Sequence, residues 1–410
     1  MRILFLNDDY PPLGGSSVSS VIEGLRRGLE QRGHQTRVIT THRTETDPLI
    51  IRRDTVVSLP VSYRISLRHW KCLWNPPVSR MLEEEIKAFR PDVVHAHNLH
   101  MYLTYDALRI ARRHAKTVCI TLHDVMSFAY ARLATERFLN SGGRDVRVTI
   151  VDQIHSAGLQ WNPVRNWMIR RALRQNATTV IAVSDALKRA LEANGITSIT
   201  RIHHGMDATL IAPPDAAATF RSAHDLGNRK VILFGGRLSL DKGAVPLLHA
   251  LQIVRRDIPN VLLLVLGDPK RWKGLVQAAN LEDDLSNTTR CVGWLDREQT
   301  SAAFAATDIV TTPSLCLDTF NLMNLEAMIA AKPVVGTIFG GTPEVIQNDV
   351  TGFVLDPRKT AAYAEKLTLL LQNAELAHQM GNAGRTRAQS EFSLDRQVEE
   401  HVTIYNPKAI

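Results

Sequence analysis

Residues 311–345 read TTPSLCLDTFNLMNLEAMIAAKPVVGTIFGGTPEV, and the parsing of this stretch decides the fold. It opens on the end of an apolar, β-branched run, DIVTT, which reads as a buried strand; Pro313 and Ser314 mark where the chain leaves the sheet. From about Asn321, the apolar residues Leu322, Leu325, Met328 and Ile329 fall at helical spacing, so a helix is expected to open just after Asp318. Asp318 then stands at the helix entrance and Glu326 about two turns in. The next apolar run, from Lys332-Pro333-Val334-Val335, returns to the sheet. Two carboxylates beside a helix N-terminus are placed to bind hydroxyls on either side of a phosphate, which the unpaired N–H groups favour. Each acid also has an ordinary reading, Asp318 as a helix cap and Glu326 as a solvated helix residue.

Working outward through the second half, KVILFGGRLSLDKGAVPLLHALQIV starts a strand at residue 230 and a helix after Gly243. Arg237 and Lys242 lie in the loop between them. Two cations there suit a leaving diphosphate, whose charge grows as the bond to the sugar breaks; as simple surface cations they would do nothing. LLLVLGDP, RCVGWLD and TGFVLDP add strands, helices continue to about Gln389, and SLDRQVEEHVTIY forms a last helix.

The first half repeats the alternation. RILFLND is a strand, Val18–Arg32 an amphipathic helix and RGHQTRVIT a turn and second strand, which together make a βαβ unit with a ligand crevice at the strand ends. The intervening YPPLGGSS lacks the spaced glycines of a dinucleotide fingerprint, so Gly14 and Gly15 serve either a tight turn or close approach to a ligand. Residues 43–80 read as irregular, with Tyr63, Arg64, Arg68, Trp70, Lys71 and Trp74 suited to an interface, an acceptor wall or a lipid headgroup layer as well as to a plain loop. A helix near 77–89, the strand PDVVHAH, a helix over 104–115 and the strand TVCITLHD, ending at His123, follow. Residues 127–160 read as a less regular insertion on the acceptor side. Pro163 then starts the basic helix WNPVRNWMIRRALRQN, which is expected to pack Trp167, Ile169 and Leu173 on the sheet rather than to lie on a membrane.

Length suits two domains, and 44% hydrophobic with 22% charged residues is the composition of an ordinary globular chain rather than a disordered one. No apolar run approaches the ~20 residues that span a bilayer. With a first strand expected from residue 2, no signal peptide is expected, and the expected location is the cytoplasm, with peripheral contact at the inner face of the membrane as a further option. The net charge of +8 is concentrated before residue 208, where lysine and arginine outnumber the acids, while the remainder is slightly acidic. A basic first half fits an anionic acceptor or peripheral contact with an anionic membrane. No nucleic-acid-binding signature occurs. Cys72, Cys119, Cys291 and Cys316 have no metal or redox spacing. His95, His97 and His100 are expected to point to different faces, so no metal site is assigned to them, and no Asp-x-Asp ends a strand to hold a divalent ion.

Taken together, Pro-Ser, Asp318, Leu-Glu-Ala-Met, Lys-Pro-Val-Val and Gly-Gly-Thr-Pro-Glu, with G-R-x4-K-G at 236–243, PPLGG at 11–15 and the His-Asp pair at 123–124, resemble the family-4 retaining glycosyltransferases of the GT-B fold. The resemblance covers nearly the whole chain and is weakest in 43–80 and 127–160. It implies two doubly wound Rossmann-like α/β domains facing across a donor-binding cleft: 1–208 on the acceptor side, a linker at 209–227, a nucleotide-sugar domain at 228–389 and a helix at 390–410 that crosses back. It implies a metal-independent transfer, without a separate cofactor, from a UDP-, GDP- or ADP-sugar to the hydroxyl of a glycan, lipid-linked or small-molecule acceptor. His123, Arg237, Lys242 and Asp318 would be catalytic; Gly14, Gly15, Thr319, Phe320, Asn321, Leu322 and Glu326 would bind the donor. Gly267 and Gly293 fall where the family's nucleotide nears the sheet, and His204 and Met206 replace residues of its Asn-Gly-Val-Asp turn. A nucleotide-sugar epimerase and a non-catalytic nucleotide-sugar sensor are the alternatives.

Two departures are specific. Asp318 stands where the family has glutamate, the first of two acids spaced as Asp318 and Glu326 are, and Asn321 stands where it usually has glycine. A carboxylate withdrawn by about one C–C bond, ~1.5 Å, leaves three outcomes, a compensating backbone shift, a different donor sugar or weak activity, and the expectation is a specialised donor preference. Asp318→Glu is therefore expected to reorder activity across UDP-, GDP- and ADP-sugars, measured as initial rates; an unchanged order would contradict this reading.

Overall fold

The computed structural model describes residues 1–207, 212–281, 285 and 287–406. The chain divides into two compact units, one of Met1–Leu133, Val146–Met206 and Leu394–Ile410, the other of Ala134–Asp145 and Asp207–Ser393.

The first unit is built on eight strands: β1 (Arg2–Asn7), β2 (Gln35–Arg43), β3 (Ile51–Arg53), β4 (Val56–Val61), β5 (Val93–His97), β6 (Thr117–Leu122), β7 (Thr179–Ala182) and β8 (Ile199–Arg201). Their order is β3-β4-β2-β1-β5-β6-β7-β8, and every pairing is parallel except β3 with β4. Helices cover such a sheet on both faces, which is why β1 and β5 are runs of buried residues rather than alternating ones. The helix Ser17–Gln31 is set by a capping box in which Ser16 and Ser19 satisfy each other's backbone N–H groups. It buries Val21, Ile22, Leu25 and Leu29. The helix Leu394–Tyr405 packs beside it and adds Val398 and Tyr405 to the core around Ile3 and Phe5.

Three regions differ from the sequence reading. Residues 43–80 are not irregular: β3, β4 and the short helix Arg68–Lys71 lie within them. Residues 127–160 contain helices at Glu136–Asn140 and Ile150–Ala157, and Ala134–Asp145 belongs to the second unit. There Phe138 packs against Phe339, with ring centroids 5.5 Å apart, and Arg358 donates to Asn140 Oδ1 at 3.0 Å. The stretch expected as a loose linker at 209–227 carries a helix at Ala216–Ala223, with residues 208–211 outside those described.

The second unit has six strands: β9 (Lys230–Gly235), β10 (Val261–Leu266), β11 (Thr289–Cys291), β12 (Ile309–Thr312), β13 (Val334–Thr337) and β14 (Gly352–Leu355). All pairings are parallel and the order is β11-β10-β9-β12-β13-β14. The chain winds one way from β9 and the other way from β12, so their carboxyl ends flank the topological switch point where open α/β sheets bind ligands. The loops leaving these two strands touch. Leu315 N donates to Asp241 O at 2.8 Å. Gly243 has a φ of +78°, and a Cβ there would lie 1.8 Å from Pro313 O. Gly243→Ala is expected to destabilise the second unit by about 2 kcal/mol or more, the sum of left-handed strain and this collision. Thermal melting checks it; an unchanged midpoint would contradict the close loop contact.

Candidate functional site

At the switch point of the second unit, the short turn Leu240–Lys242 delivers Lys242 beside the loop Pro313–Asn321. Lys242 Nζ is 2.6 Å from Asp318 Oδ2. The same oxygen accepts from Ser314 Oγ at 2.7 Å and from Asn321 Nδ2 at 3.1 Å. Asp318 is buried, so this convergence offsets the cost of removing its charge from water. The backbone is held as firmly. Gly341 N donates to Asp318 O at 2.8 Å, and Gly340, at φ +80°, leaves no space for a Cβ, which would stand 2.2 Å from that carbonyl oxygen.

The helix is Leu322–Ile329, capped by Asn321, whose Oδ1 accepts from Met323 N at 3.1 Å. Asp318 is therefore not the cap, and Glu326 lies a little over one turn into the helix rather than two. Asn321 does two things at once: it caps with its oxygen and holds Asp318 with its nitrogen. Thr319 is half-buried and Phe320 is buried, 6.2 Å from the Phe392 ring. Leu322 is half-buried in the first turn. Behind the helix, the fully buried Asn324 accepts from Thr312 Oγ1 at 2.9 Å and contacts Thr342 Oγ1 at 3.3 Å, while Thr337 Oγ1 donates to Ser314 O at 2.7 Å. Neither Asn324 nor Ser314 stood out as a site residue in the sequence. Both lie in the opening stretch, and an amide in an otherwise apolar helix face was the available signal.

Arg237 is exposed on the loop after β9. Gly267 and Gly293 pair in a short antiparallel bridge beyond β10 and β11, so the strand ends beside the switch point present backbone without side chains. Burial pushes the half-buried Glu326 carboxyl up from 4.5 to about 7, against the opposing charge of Arg297. At neutral pH it is divided between acid and carboxylate.

Gly14, Gly15 and His123 lie in the first unit. Gly14 comes close to the Asp9 carboxylate, 1.9 Å from an added Cβ, whereas a Cβ at Gly15 would meet Pro11 at an ordinary contact distance of 3.9 Å. The switch point of this sheet lies between β1 and β5, and here the sequence reading missed Asp8. Its carboxylate accepts from the backbone N–H groups of Met101, Tyr102 and Leu103 at 3.1, 2.9 and 2.7 Å, which ties the loop after β5 to the end of β1.

His123 directly follows β6 and is buried within a row of imidazoles. His97 Nδ1 is 2.8 Å from His123 Nε2, and His123 Nδ1 is 3.3 Å from His204 Nε2. His95 and His97 do not point to different faces: residues two apart on a strand share one, and their ring centroids are 4.2 Å apart. His95 continues to Tyr405 OH at 2.6 Å and Thr121 Oγ1 at 2.7 Å. Burial holds these rings neutral, with His123 pushed down to about 3. A neutral imidazole has one donor and one acceptor, so His97, His123 and His204 must share a single direction of donation. Such a ring is a weak base at neutral pH.

The sequence profile described as Glycosyltransferase Family 4 matches residues 18–210, and that described as Glycosyl transferases group 1 matches 217–387. The chain belongs to the family-4 glycosyltransferases of the GT-B fold. A glycogen synthase of Mycobacterium tuberculosis is 26% identical over 422 residues, covering 99% of this chain and 94% of the relative. Among solved structures, sucrose-phosphate synthase of Thermosynechococcus elongatus superposes with a TM-score of 0.74 at 18% identity, over 99% of this chain and 98% of that one. HepE of Anabaena, solved with UDP and glucose, gives 0.70 at 18%, over 98% and 99%. This glycosyltransferase thus carries its family signature on both Rossmann-like units. Among the described residues, no helix is long and apolar enough to cross a membrane.

The raised Glu326 carboxyl has a stability consequence. The folded protein keeps its proton while the unfolded chain loses it near 4.5, so stability falls as pH rises from there through about 7. Glu326→Gln should melt close to the parent at about pH 4 and above it at about pH 8. Equal melting at both values would remove the case for a buried carboxyl.

Proposed function

We propose that the chain transfers a hexosyl group from a nucleoside diphosphate sugar to an acceptor hydroxyl with retention of anomeric configuration. The observation that carries this reading is the Lys242–Asp318 pair at the switch point between β9 and β12. A cation and a fixed carboxylate stand there beside the N-terminus of Leu322–Ile329, and Arg237 is exposed on the loop that leads from β9 to Lys242. The HepE structure, which holds UDP and glucose on the same fold, supports a nucleotide-sugar donor.

In this reading Arg237 and Lys242 stabilise the diphosphate as it leaves, a role that gains strength in the transition state. Asp318 orients Lys242 and receives sugar hydroxyls together with the N–H groups of Thr319, Phe320 and Asn321, with Leu322 opening the helix. Glu326 receives the ribose hydroxyls. The acceptor oxygen attacks the anomeric carbon from the face of the leaving group. As the carbon–oxygen bond to phosphate breaks, its electron pair stays on the phosphate oxygen, which takes the acceptor proton; a glycoside and a nucleoside diphosphate result. Lys242 and Arg237 supply the positive charge, so no step needs a divalent ion. His123, Gly14 and Gly15 belong to the acceptor-side unit, where the neutral His123 serves to position rather than to remove a proton.

A nucleotide-release assay with UDP-, GDP- and ADP-sugars and an acceptor mixture tests this. Release is expected with one donor, stimulated by acceptor, undiminished by excess EDTA and reduced about 100-fold or more in Lys242→Ala. NMR of the product should show the donor's anomeric configuration. An inverted product would contradict retention. Tight donor binding without release would favour a sensor, and isomerised sugar nucleotide formed without acceptor would favour an epimerase.

A further inference from the structure

The helix Ile150–Ala157 in the first unit buries none of its residues. Ile150, Val151 and Ile154 are exposed on it, and exposed apolar side chains continue through Leu159, Val164, Trp167 and Met168. Trp167 is 55% exposed, so it does not share the burial of Ile169 and Leu173 as its spacing suggested. A second exposed group, Ile65, Leu67, Trp70 and Trp74, lies on the segment around the helix Arg68–Lys71.

These two segments are neighbours. The buried Asn162 donates from Nδ2 to His69 O at 3.0 Å, and Tyr130 OH donates to Asn162 O at 2.7 Å. Gln153 Oε1 accepts from Asn166 Nδ2 at 3.1 Å, which seats the helix Ile150–Ala157 against the start of the helix Arg165–Asn176. Single exposed apolar residues are ordinary, but a run of this length on adjoining segments is not.

The charges around it have one sign. Between residues 146 and 176 the ionised side chains are Arg147, Arg165, Arg170, Arg171, Arg174 and a single acid, Asp152. That acid closes a capping box with Thr149. Arg165 is buried, while Arg147, Arg170, Arg171 and Arg174 are exposed, and the Arg171 guanidinium lies 5.6 Å from the Trp167 ring centroid. Arg64, Arg68 and Lys71 accompany the second segment.

From this composition we infer that the surface formed by Ile65–Trp74 and Ile150–Arg174 docks on an anionic lipid bilayer. Tryptophan and arginine are the side chains that occupy the boundary between headgroup and hydrocarbon: the rings and aliphatic stems enter the apolar layer while the charges meet lipid phosphates. The absence of acids other than the capped Asp152 from residues 146–176 is the complement of a negative surface. Docking of this kind holds the protein at the membrane without a spanning helix. It is independent of the donor chemistry, because it needs no substrate.

Co-sedimentation of the full chain with vesicles tests it. The protein should partition onto phosphatidylcholine vesicles containing phosphatidylglycerol at least about tenfold better than onto phosphatidylcholine alone, and added salt should weaken the binding. Ile154→Ser with Trp167→Ser should abolish most of the partition. Arg170→Glu with Arg171→Glu should remove the preference for anionic vesicles. All four positions are exposed, and parental melting of each variant verifies folding. Failure to partition onto the anionic vesicles would overturn the inference, as would partition that these variants leave intact. A concentration-dependent dimer in light scattering that Ile154→Ser with Trp167→Ser dissolves would also overturn it, because a second copy would then cover the face.

Discussion

The pairing of Lys242 with Asp318 is the constraint on which the second unit's site depends. An ammonium and a carboxylate taken largely out of water must be close and well supplied with hydrogen bonds, or their desolvation outweighs their attraction. The chain meets this demand with Ser314 and Asn321 on the same carboxylate oxygen and with a glycine pressed against the Asp318 backbone. Each supporting residue comes from a segment leaving a parallel strand or opening the following helix. The sheet order therefore does more than give a compact core: it brings the loops after β9 and β12 to one point, and the pair locks them there.

The shorter acid and the Asn321 side chain make sense together. With glutamate at 318 and glycine at 321, a longer side chain would have room to reach; with aspartate, the asparagine nitrogen meets the withdrawn carboxylate at 3.1 Å while its oxygen caps the helix. The two departures from the family pattern are one local solution. A longer side chain at 318 would have to displace Asn321 or Lys242, which is why donor preference rather than folding is where the difference should be felt.

Alternation of strand and helix was legible because buried parallel strands are continuous apolar runs and their helices carry a separate period. The order of strands was not, since pairing joins residues far apart in sequence. β3 is three residues long and β4 contains Pro60, which cannot donate to a ladder, so neither had a strong strand pattern. The candidate donor residues could be named from motif, yet the role of Asn321 as cap appears only when its side chain is seen. The imidazole row needed still more. It joins β5, the end of β6 and the turn after β8, and only the register of the sheet brings His97, His123 and His204 into line. Trp167 shows the opposite difficulty: helical spacing suggested a core position, but the buried stripe is Ile169 and Leu173 with Arg165 and Asn166, packed toward the helix Asp106–His114.

The two units solve different electrostatic problems. In the second, charge is concentrated and paired; in the first, burial keeps a row of imidazoles neutral, so their contribution is orientation rather than charge. If the Lys242–Asp318 loops form a diphosphate site, calorimetric titration of UDP, GDP and ADP and of the corresponding nucleosides into the parent protein and Lys242→Ala will show it. One diphosphate should bind at a single site, its nucleoside far more weakly, and Lys242→Ala should lose about tenfold or more in affinity. Equal binding of nucleoside and diphosphate, or full affinity in Lys242→Ala, would contradict it.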